Sequence, residues 1–516
     1  MSRSARPATR QRARCLAPAC VAVLALVLSG CGGNRLSVAE LRADAGIPDD
    51  SMRQTATDPG SAAAVPSTVP GAVGAPAAAP VAGAAATTTT PGVAAAKPSR
   101  TTPTGALGVP VAGKPAAAKA AGALAAAGTK PAATGWAATA TAQCTGTKST
   151  IVIGAVGQQS GPLGAALIGS TRAVEAWVAR TDAAGGLGCH RIKYIAYDDG
   201  GDPARHLTLV RKLVEQDGAV AMVDQPALLT GNASADYVKN KGIPVIGTSG
   251  GEEMVYSSPV YFNAATSAAP LFDWTLAAGA KVAIPAGKTQ LASIVCQEVV
   301  GCSTAGKEFK ANAARLGFKL VYEAKASLIN VDFTAQCIGA KNAGATAVGL
   351  SFDSTAIHRI AQSCASVGYF PQFICTSSQS TLDFAADKNL DGAVIGQPLL
   401  PWFLSGKPAI AEFQATMRRY EPGVPFDSSS INGWASAVLF SRATKAFAAD
   451  TVTSKEILDA LAAVKNDDLG GLTYPLSFSP GKPQPPKACG WVVQVKDTKF
   501  TSDGKLFCDD YQEAGG

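Results

Sequence analysis

The chain has 516 residues, 47% of them hydrophobic, and a formal net charge of +7. Residues 59–147 are almost entirely Ala, Pro, Gly, Thr and Val, with charges only at Lys97, Arg100, Lys114, Lys119 and Lys130, so this stretch cannot bury enough surface to offset the entropy of ordering. The remaining basicity is concentrated in Arg3, Arg6, Arg10, Arg12 and Arg14. Residues 148–516 are nearly neutral at −1, which argues against nucleic-acid binding through a basic surface.

In chain order, the Arg-rich start leads into the apolar run Leu16–Leu28. That run is too short for a bilayer core of about 30 Å and reads as the h-region of a signal peptide, residues 1–30. Its end, Leu28-Ser29-Gly30-Cys31, resembles the bacterial lipobox, which implies cleavage before Cys31 and lipidation of its thiol. The alternative is an ordinary signal with a chance cysteine. Residues 31–147 then form a lipid-anchored, disordered tether, and as a flexible coil residues 32–147 span roughly 60 Å. The Thr-rich pieces Thr87–Thr90 and Thr101–Thr102 are compositional candidates for O-linked sugar.

From residue 148 strands and helices alternate. Ile151–Val156 is a continuous apolar run, as in a parallel strand buried on both faces. A helix is predicted over Ala166–Ala183, then strand Ile192–Tyr197. Asp202 before Pro203 reads as an N-cap followed by Pro at the first helical position, opening a helix to about Glu215. Strand Ala219–Val223, helix Gly231–Lys241 and strand Ile243–Gly247 follow. A second set runs through a helix from Ala269, strand Leu291–Cys296, helix Ala305–Leu316, strand Lys319–Ala324, helix Thr334–Ala343 and strand Thr346–Leu350. It continues with helix Ser354–Val367 and strands Gln372–Cys375 and Ala393–Gln397. Beyond Pro401, helices are expected at Pro408–Tyr420, Ser430–Phe447 and Ser454–Ala463. A hairpin is expected between Trp491–Val495 and Lys505–Phe507. The rhythm predicts an α/β fold of two Rossmann-like, doubly wound lobes.

Cys15 and Cys20 leave with the signal and Cys31 takes lipid, so nine of the 12 cysteines remain. In an exported protein the default reading is disulfides. Proximity along the chain suggests Cys144–Cys189, Cys296–Cys302, Cys337–Cys364 and Cys489–Cys508, although the sequence admits other pairings. Cys375, in an apolar strand, is left as a small buried hydrophobe. No CxxC pair occurs and histidines are scarce, so no metal or redox cofactor is expected.

Several segments together resemble type I periplasmic binding proteins, in particular the Leu/Ile/Val-binding receptors of ABC importers. They are Ile151–Pro162, Ala183–Leu187, Tyr197–Pro203, Lys212–Gly218, Gly242–Val245, Asp332–Thr334, Lys341–Ala345, Gly368–Tyr369 and Gly433–Ala437. The resemblance implies lobe 1 from residues 148–266 and 400–470, and lobe 2 from 267–399 and 471–516. Hinge crossings are implied near Ala265–Ala268, Gln397–Pro401 and Gly470–Tyr474. It further implies a monomeric receptor for amino-acid transport, held at the outer face of the cell membrane, that closes on a small ligand and hands it to a membrane permease.

Ligands of such sheets bind beyond the strands' carboxyl ends. The candidate contacts are therefore Gln158, Gln159, Ser160, Gln225, Thr248, Ser249 and Gly250 in lobe 1, and Phe352, Asp353 and Ser377 in lobe 2. Three departures from the family stand out. Ala227-Leu228 replaces a serine pair that grips the ligand carboxylate, with Thr230 as a candidate substitute. Ala305-Gly306 replaces an aromatic before Gly. Ser377 or Ser378 stands where an acid pairs with the ligand's ammonium. A buried ammonium without a counter-charge is costly, so the ligand expected is more neutral, or larger, than a zwitterionic amino acid.

Other features read as structural. Asp198-Asp199 suits a strand-end turn, Trp434 suits packing between helices, and Asp353 divides evenly between ligand contact and helix cap. His190, beside Cys189, is expected to be exposed. No Gly-x-Ser-x-Gly elbow supports a hydrolase, so no enzyme activity is expected. The competing readings are a ligand sensor for a membrane receptor and a cell-wall protein that has lost ligand binding.

Overall fold

The apolar run after residue 150 forms the strand β1 (Ile151–Gly157), buried almost throughout, at the centre of the first of two sheets. The computed structural model describes Cys144 and residues 148–161, 163–248, 254–377 and 380–510. The signal, Cys31, the tether (apart from Cys144), Ser249, Gly250 and Ser378 lie outside the described residues.

The first sheet contains β1, β2 (Ile192–Asp198), β3 (Ala221–Gln225), β4 (Val245–Thr248) and β5 (Tyr261–Phe262), in the order β2-β1-β3-β4-β5. All its pairings are parallel. Its connections carry α1 (Gly164–Ala183), α2 (Pro203–Glu215), α3 (Asn232–Lys241) and the single turn α4 (Met254–Ser257). Asp202 caps α2 by accepting from the Ala204 and Arg205 amides, with Pro203 following it, as the Asp-Pro pair predicts.

The chain then passes to the second sheet through α5 (Ala268–Ala283). Here β6 (Gln290–Cys296), β7 (Lys319–Ala326), β8 (Ala347–Ser351), β9 (Gln372–Thr376) and β10 (Val394–Gln397) repeat the same winding, in the order β7-β6-β8-β9-β10. The intervening helices are α6 (Val300–Asn312), α7 (Thr334–Asn342), α8 (Ser354–Ser366) and the short α9 (Leu382–Ala386). After β10 the chain returns to the first lobe with α10 (Pro408–Tyr420), α11 (Ser428–Phe440) and α12 (Ser454–Ala462). It ends beside β10 as the antiparallel strand β11 (Ala488–Lys496), flanked by β12 (Lys499–Thr501) and β13 (Phe507–Asp509). The fold is thus α/β with two Rossmann-like lobes.

Each lobe has its own core. Trp177 of α1, Trp434 and Phe440 of α11 and Phe413 of α10 pack together on the first sheet, so Trp434 is a packing residue. Phe309, Phe333, Ile357 and Ile374 belong to the second core. α11 lies so close to α1 that a β-carbon at Gly433 would collide with the Ser170 carbonyl.

Several details differ from expectation. α6 starts at Val300, five residues before the predicted Ala305, because the Cys296–Cys302 disulfide holds its first turn against the end of β6. α11 stops at Phe440 rather than Phe447, where the Ser441 hydroxyl bonds back to the Val438 carbonyl. The hairpin partner of β11 is β12, reached through Asp497 and Thr498, both at positive φ. β13 pairs separately with the start of β11. Leu472, Tyr474, Leu476 and Phe478 pack in the first core, and the chain joins the second sheet at Ala488, the start of β11.

His190 corrects the expectation of exposure. It is fully buried, its ring nitrogens 2.6 Å from the Ser149 carbonyl and 2.9 Å from that of Ala449, because Cys144–Cys189 draws this turn against the start of β1. All four expected disulfides are present. Cys375 is free and buried, and burial pushes its thiol well above the usual range.

Candidate functional site

Both sheets direct the carboxyl ends of their strands toward one cavity of about 160 Å³. This is where open α/β sheets place ligands, since side chains leaving the strand ends and helix N-termini converge there. The first lobe supplies Leu163, Ala166 and Leu167 at the start of α1, Leu228 after β3, and Thr248 at the end of β4. The second supplies Cys296, Val299 and Cys302 after β6, Ser351, Phe352 and Asp353 after β8, and Thr376 and Ser377 after β9. Asn263, Ser267, Gln397 and Pro398 line the cavity from the crossings, and Ser428, Ser429 and Asn432 from the first turns of α11.

Of the expected contacts, Thr248, Phe352, Asp353 and Ser377 meet in this cavity. Gln158, Gln225 and Thr230 instead join a sealed network inside the first lobe. Thr230 donates to Asp199 Oδ2 at 2.7 Å, and Gln158 donates to Thr230 at 3.2 Å. His206 Nδ1 lies 2.8 Å from Asp199 Oδ2, and its Nε2 lies 3.0 Å from both Ser234 Oγ and Gln225 Nε2. A Gln225 amide donating to Nε2 leaves the ring proton on Nδ1, facing Asp199. Burial pushes the Asp199 carboxyl up, but the bonds from His206, Thr230 and Gly201 outweigh it and hold it below its usual range.

These Ser–His–Asp contacts follow the order of a hydrolase triad. Ser234, His206 and Asp199 are nevertheless all 0% exposed, and the Ser234 hydroxyl donates to the Gly231 carbonyl. No substrate carbonyl reaches that oxygen. The network braces the ends of β2 and β3 against α2 and α3. Gln159 and Ser160 are absent from the cavity lining; the Gln159 backbone N–H and both the amide and hydroxyl of Ser160 donate to Asp198.

The cavity wall is mainly apolar, and its polar atoms are largely engaged within the protein. Among the described residues Asp353 is the only ionisable side chain of the lining, Cys296 and Cys302 being joined in a disulfide. It caps α8 by accepting from the Thr355 and Ala356 amides at 2.8 and 3.2 Å. Ser429 donates to the Leu167 carbonyl, and Thr266 donates to that of Cys489. Ser428 donates to Gln397 Oε1 at 2.8 Å, joining α11 of the first lobe to β10 of the second. Among the described residues no group of three His, Cys, Asp or Glu is placed to hold a metal ion.

Behind Asn432 lies Asp224, the penultimate residue of β3, at φ +59°. Its side chain is fully buried, and its carboxyl is pushed up to about 7 by burial, against bonds from Ser170 and Asn432.

Sequence reasoning missed the cystine wall and the α11 contacts. The cystine's place was hidden because α6 was expected to start too late. Asp427-Ser-Ser-Ser430, ahead of an apolar run, is the signal that marks the start of α11; Asp427 does cap it, in a capping box with Ser430. Leu228, one of the departures from the resembled pattern, lines the cavity with a leucine side chain.

Residues 150–505 match the model of the periplasmic binding protein family. No match is found among curated proteins. Similar solved structures include the fatty acid ABC transporter substrate-binding protein from Thermomonospora curvata, at 18% identity and TM-score 0.61, covering 70% of this chain and 93% of that one. An ABC transporter solute-binding protein from R. palustris in complex with benzoate is similar at 17% identity and TM-score 0.58, covering 70% and 98%. A possible leucine/isoleucine/valine-binding protein from Rhodopirellula baltica follows at 19% and 0.61, covering 69% and 96%. At these identities the likeness concerns the fold. With the family model spanning both lobes and the cavity between them, the chain belongs to the periplasmic binding protein family.

Proposed function

We propose that this chain is the extracytoplasmic solute receptor of an ABC importer, lipid-anchored through Cys31 and lifted from the membrane by residues 32–147. In this reading its two lobes close on a small ligand with an apolar body and no ammonium group, and the closed form is presented to the permease. Ligand binding drives closure only through higher affinity for the closed state.

The observation that carries the reading is the cavity's composition. Leu163, Leu167, Leu228, Phe352 and a cystine face it, while the one carboxylate among the described lining residues, Asp353, caps a helix N-terminus through Oδ1. Among the described residues an ammonium there meets only a carboxylate that already stabilises a helix N-terminus, and the desolvation cost of the ammonium is several kcal/mol. A volume of about 160 Å³ is close to that of an apolar cavity that holds benzene, about 150 Å³. The fatty acid and the benzoate named for two similar structures also combine an apolar body with the absence of an ammonium. A retained cavity supports ligand binding over its loss.

Calorimetric titration of the chain with leucine and isoleucine tests the reading. The expected result is no binding tighter than about millimolar. Tight binding of either amino acid overturns the proposed ligand.

A further inference from the structure

The polar end of the cavity contains two side-chain amides whose orientations are set by their protein partners. Gln397 accepts the Ser428 hydroxyl on Oε1, which leaves its N–H groups for the cavity it lines. Asn432 lies one turn after Ser428 on the same face of α11. Its Nδ2 points to Asp224 Oδ1 at 3.4 Å, which leaves its carbonyl oxygen. One donor and one acceptor are therefore left on two amides of the same cavity wall.

Asp224 gives the arrangement a second, independent support. Asp224 stands at φ +59°, a left-handed conformation that Asp and Asn adopt more readily than other non-glycine residues. The side chain is fully buried, no cation contacts it, and Oδ2 has no hydrogen-bond partner. A glycine would suit this conformation and remove the buried polar group as well. What the carboxylate supplies at this point is an acceptor for Ser170 and for Asn432, of which Asn432 has a place in the cavity wall.

We propose that the site reads an uncharged donor–acceptor group, a carboxamide or a hydroxyl, on an apolar body, with Gln397 donating, Asn432 accepting and Asp224 acting as the positioning residue. This rests on the receptor reading above and narrows it. Carboxylates are disfavoured because the Asn432 oxygen faces them as an acceptor with no cation to compensate. Ammonium groups are disfavoured because the one carboxylate among the described lining residues, Asp353, already serves the N-terminus of α8 through Oδ1.

The test is titration calorimetry of the full chain at pH 8.5, where Asp224 is ionised and can only accept, with two matched sets. One is benzamide, benzoate and benzylamine; the other is 4-methylpentanamide, 4-methylpentanoate and leucine. Within at least one skeleton, the amide is expected to bind about tenfold or more tighter than both charged members. In Asp224→Asn, which stays folded by urea denaturation, the amide-over-carboxylate ratio is expected to fall below about threefold, since Asn432 is free to turn. A merely structural role for Asp224 leaves that ratio unchanged, and that result overturns the positioning assignment. Carboxylate or leucine binding as tight as the amide overturns the ligand class, with carboxylate binding leaving the receptor reading intact. Absence of binding by all six compounds at about 10 mM overturns the ligand class; if the standard amino acids, polyamines and aromatic acids also fail, the receptor reading falls with it.

Discussion

Replacing Asp224 with Asn is expected to stabilise the protein at neutral and alkaline pH and to leave it nearly unchanged in acid. The carboxyl titrates at 3.8 when exposed and at about 7 in the fold, chiefly because burial disfavours its charge. The folded chain therefore holds a proton between these values that the unfolded chain has released. Stability contributed by Asp224 is fully present below pH 3.8 and declines as pH rises through 7, levelling off above it. At 1.36 kcal/mol per pH unit, the accumulated loss is about 4 kcal/mol. Asn occupies positive φ more readily than most residues, so the substitution adds little backbone cost. Urea denaturation followed by tryptophan fluorescence, with disulfides intact, gives unfolding free energies for both proteins from pH 5 to 8. The gap between variant and wild type is expected to widen with pH. A gap that stays constant across that range, or wild type the more stable at pH 8, refutes the reasoning.

Two further substitutions probe packing and the cavity wall. Gly433→Ala places a methyl group against the Ser170 carbonyl and forces α1 and α11 apart. The expected loss is about 1–3 kcal/mol, read as a lower urea midpoint; an unchanged midpoint contradicts the close approach. Replacing Cys296 and Cys302 together with Ser removes a short cross-link of sequence separation 6, at an expected cost of about 2 kcal/mol by loop-closure entropy. Because both residues line the cavity, the affinity of any ligand found should fall as well, and calorimetry on the double variant checks this.

The fold was legible because its signals are local and repeated. Buried parallel strands such as Ile151–Val156 carry unbroken apolar runs, and the Asp202-Pro203 pair marks a helix start without tertiary information. Cysteine proximity sufficed for the disulfides, since each pair joins neighbouring elements of one lobe. The cavity was less legible. Gln158, Gln225 and Thr230 sit at strand ends, as Thr248 does, and alternation of strand and helix does not tell which strand-end side chain turns inward. That choice depends on partners distant in sequence: His206 and Asp199 draw three of these polar groups into the lobe. Asn432 and Ser428 come from a segment more than 150 residues further along, and only the return of α11 to the first lobe brings them to the cavity. His190 was misjudged for the same reason, because its second carbonyl partner, Ala449, is 259 residues away.

The central claim, a receptor for an apolar ligand lacking an ammonium group, is tested most directly by thermal-shift screening of the full chain. Suitable compounds are amino acids, amides, polyamines and small aromatic acids. A ligand at 100 times its dissociation constant stabilises the folded state by about 2.7 kcal/mol, enough to raise the melting temperature measurably. The expected result is a rise with amides or other apolar compounds that lack an ammonium, and none with leucine or polyamines. A rise confined to amino acids or polyamines, or no rise with any compound, contradicts the claim.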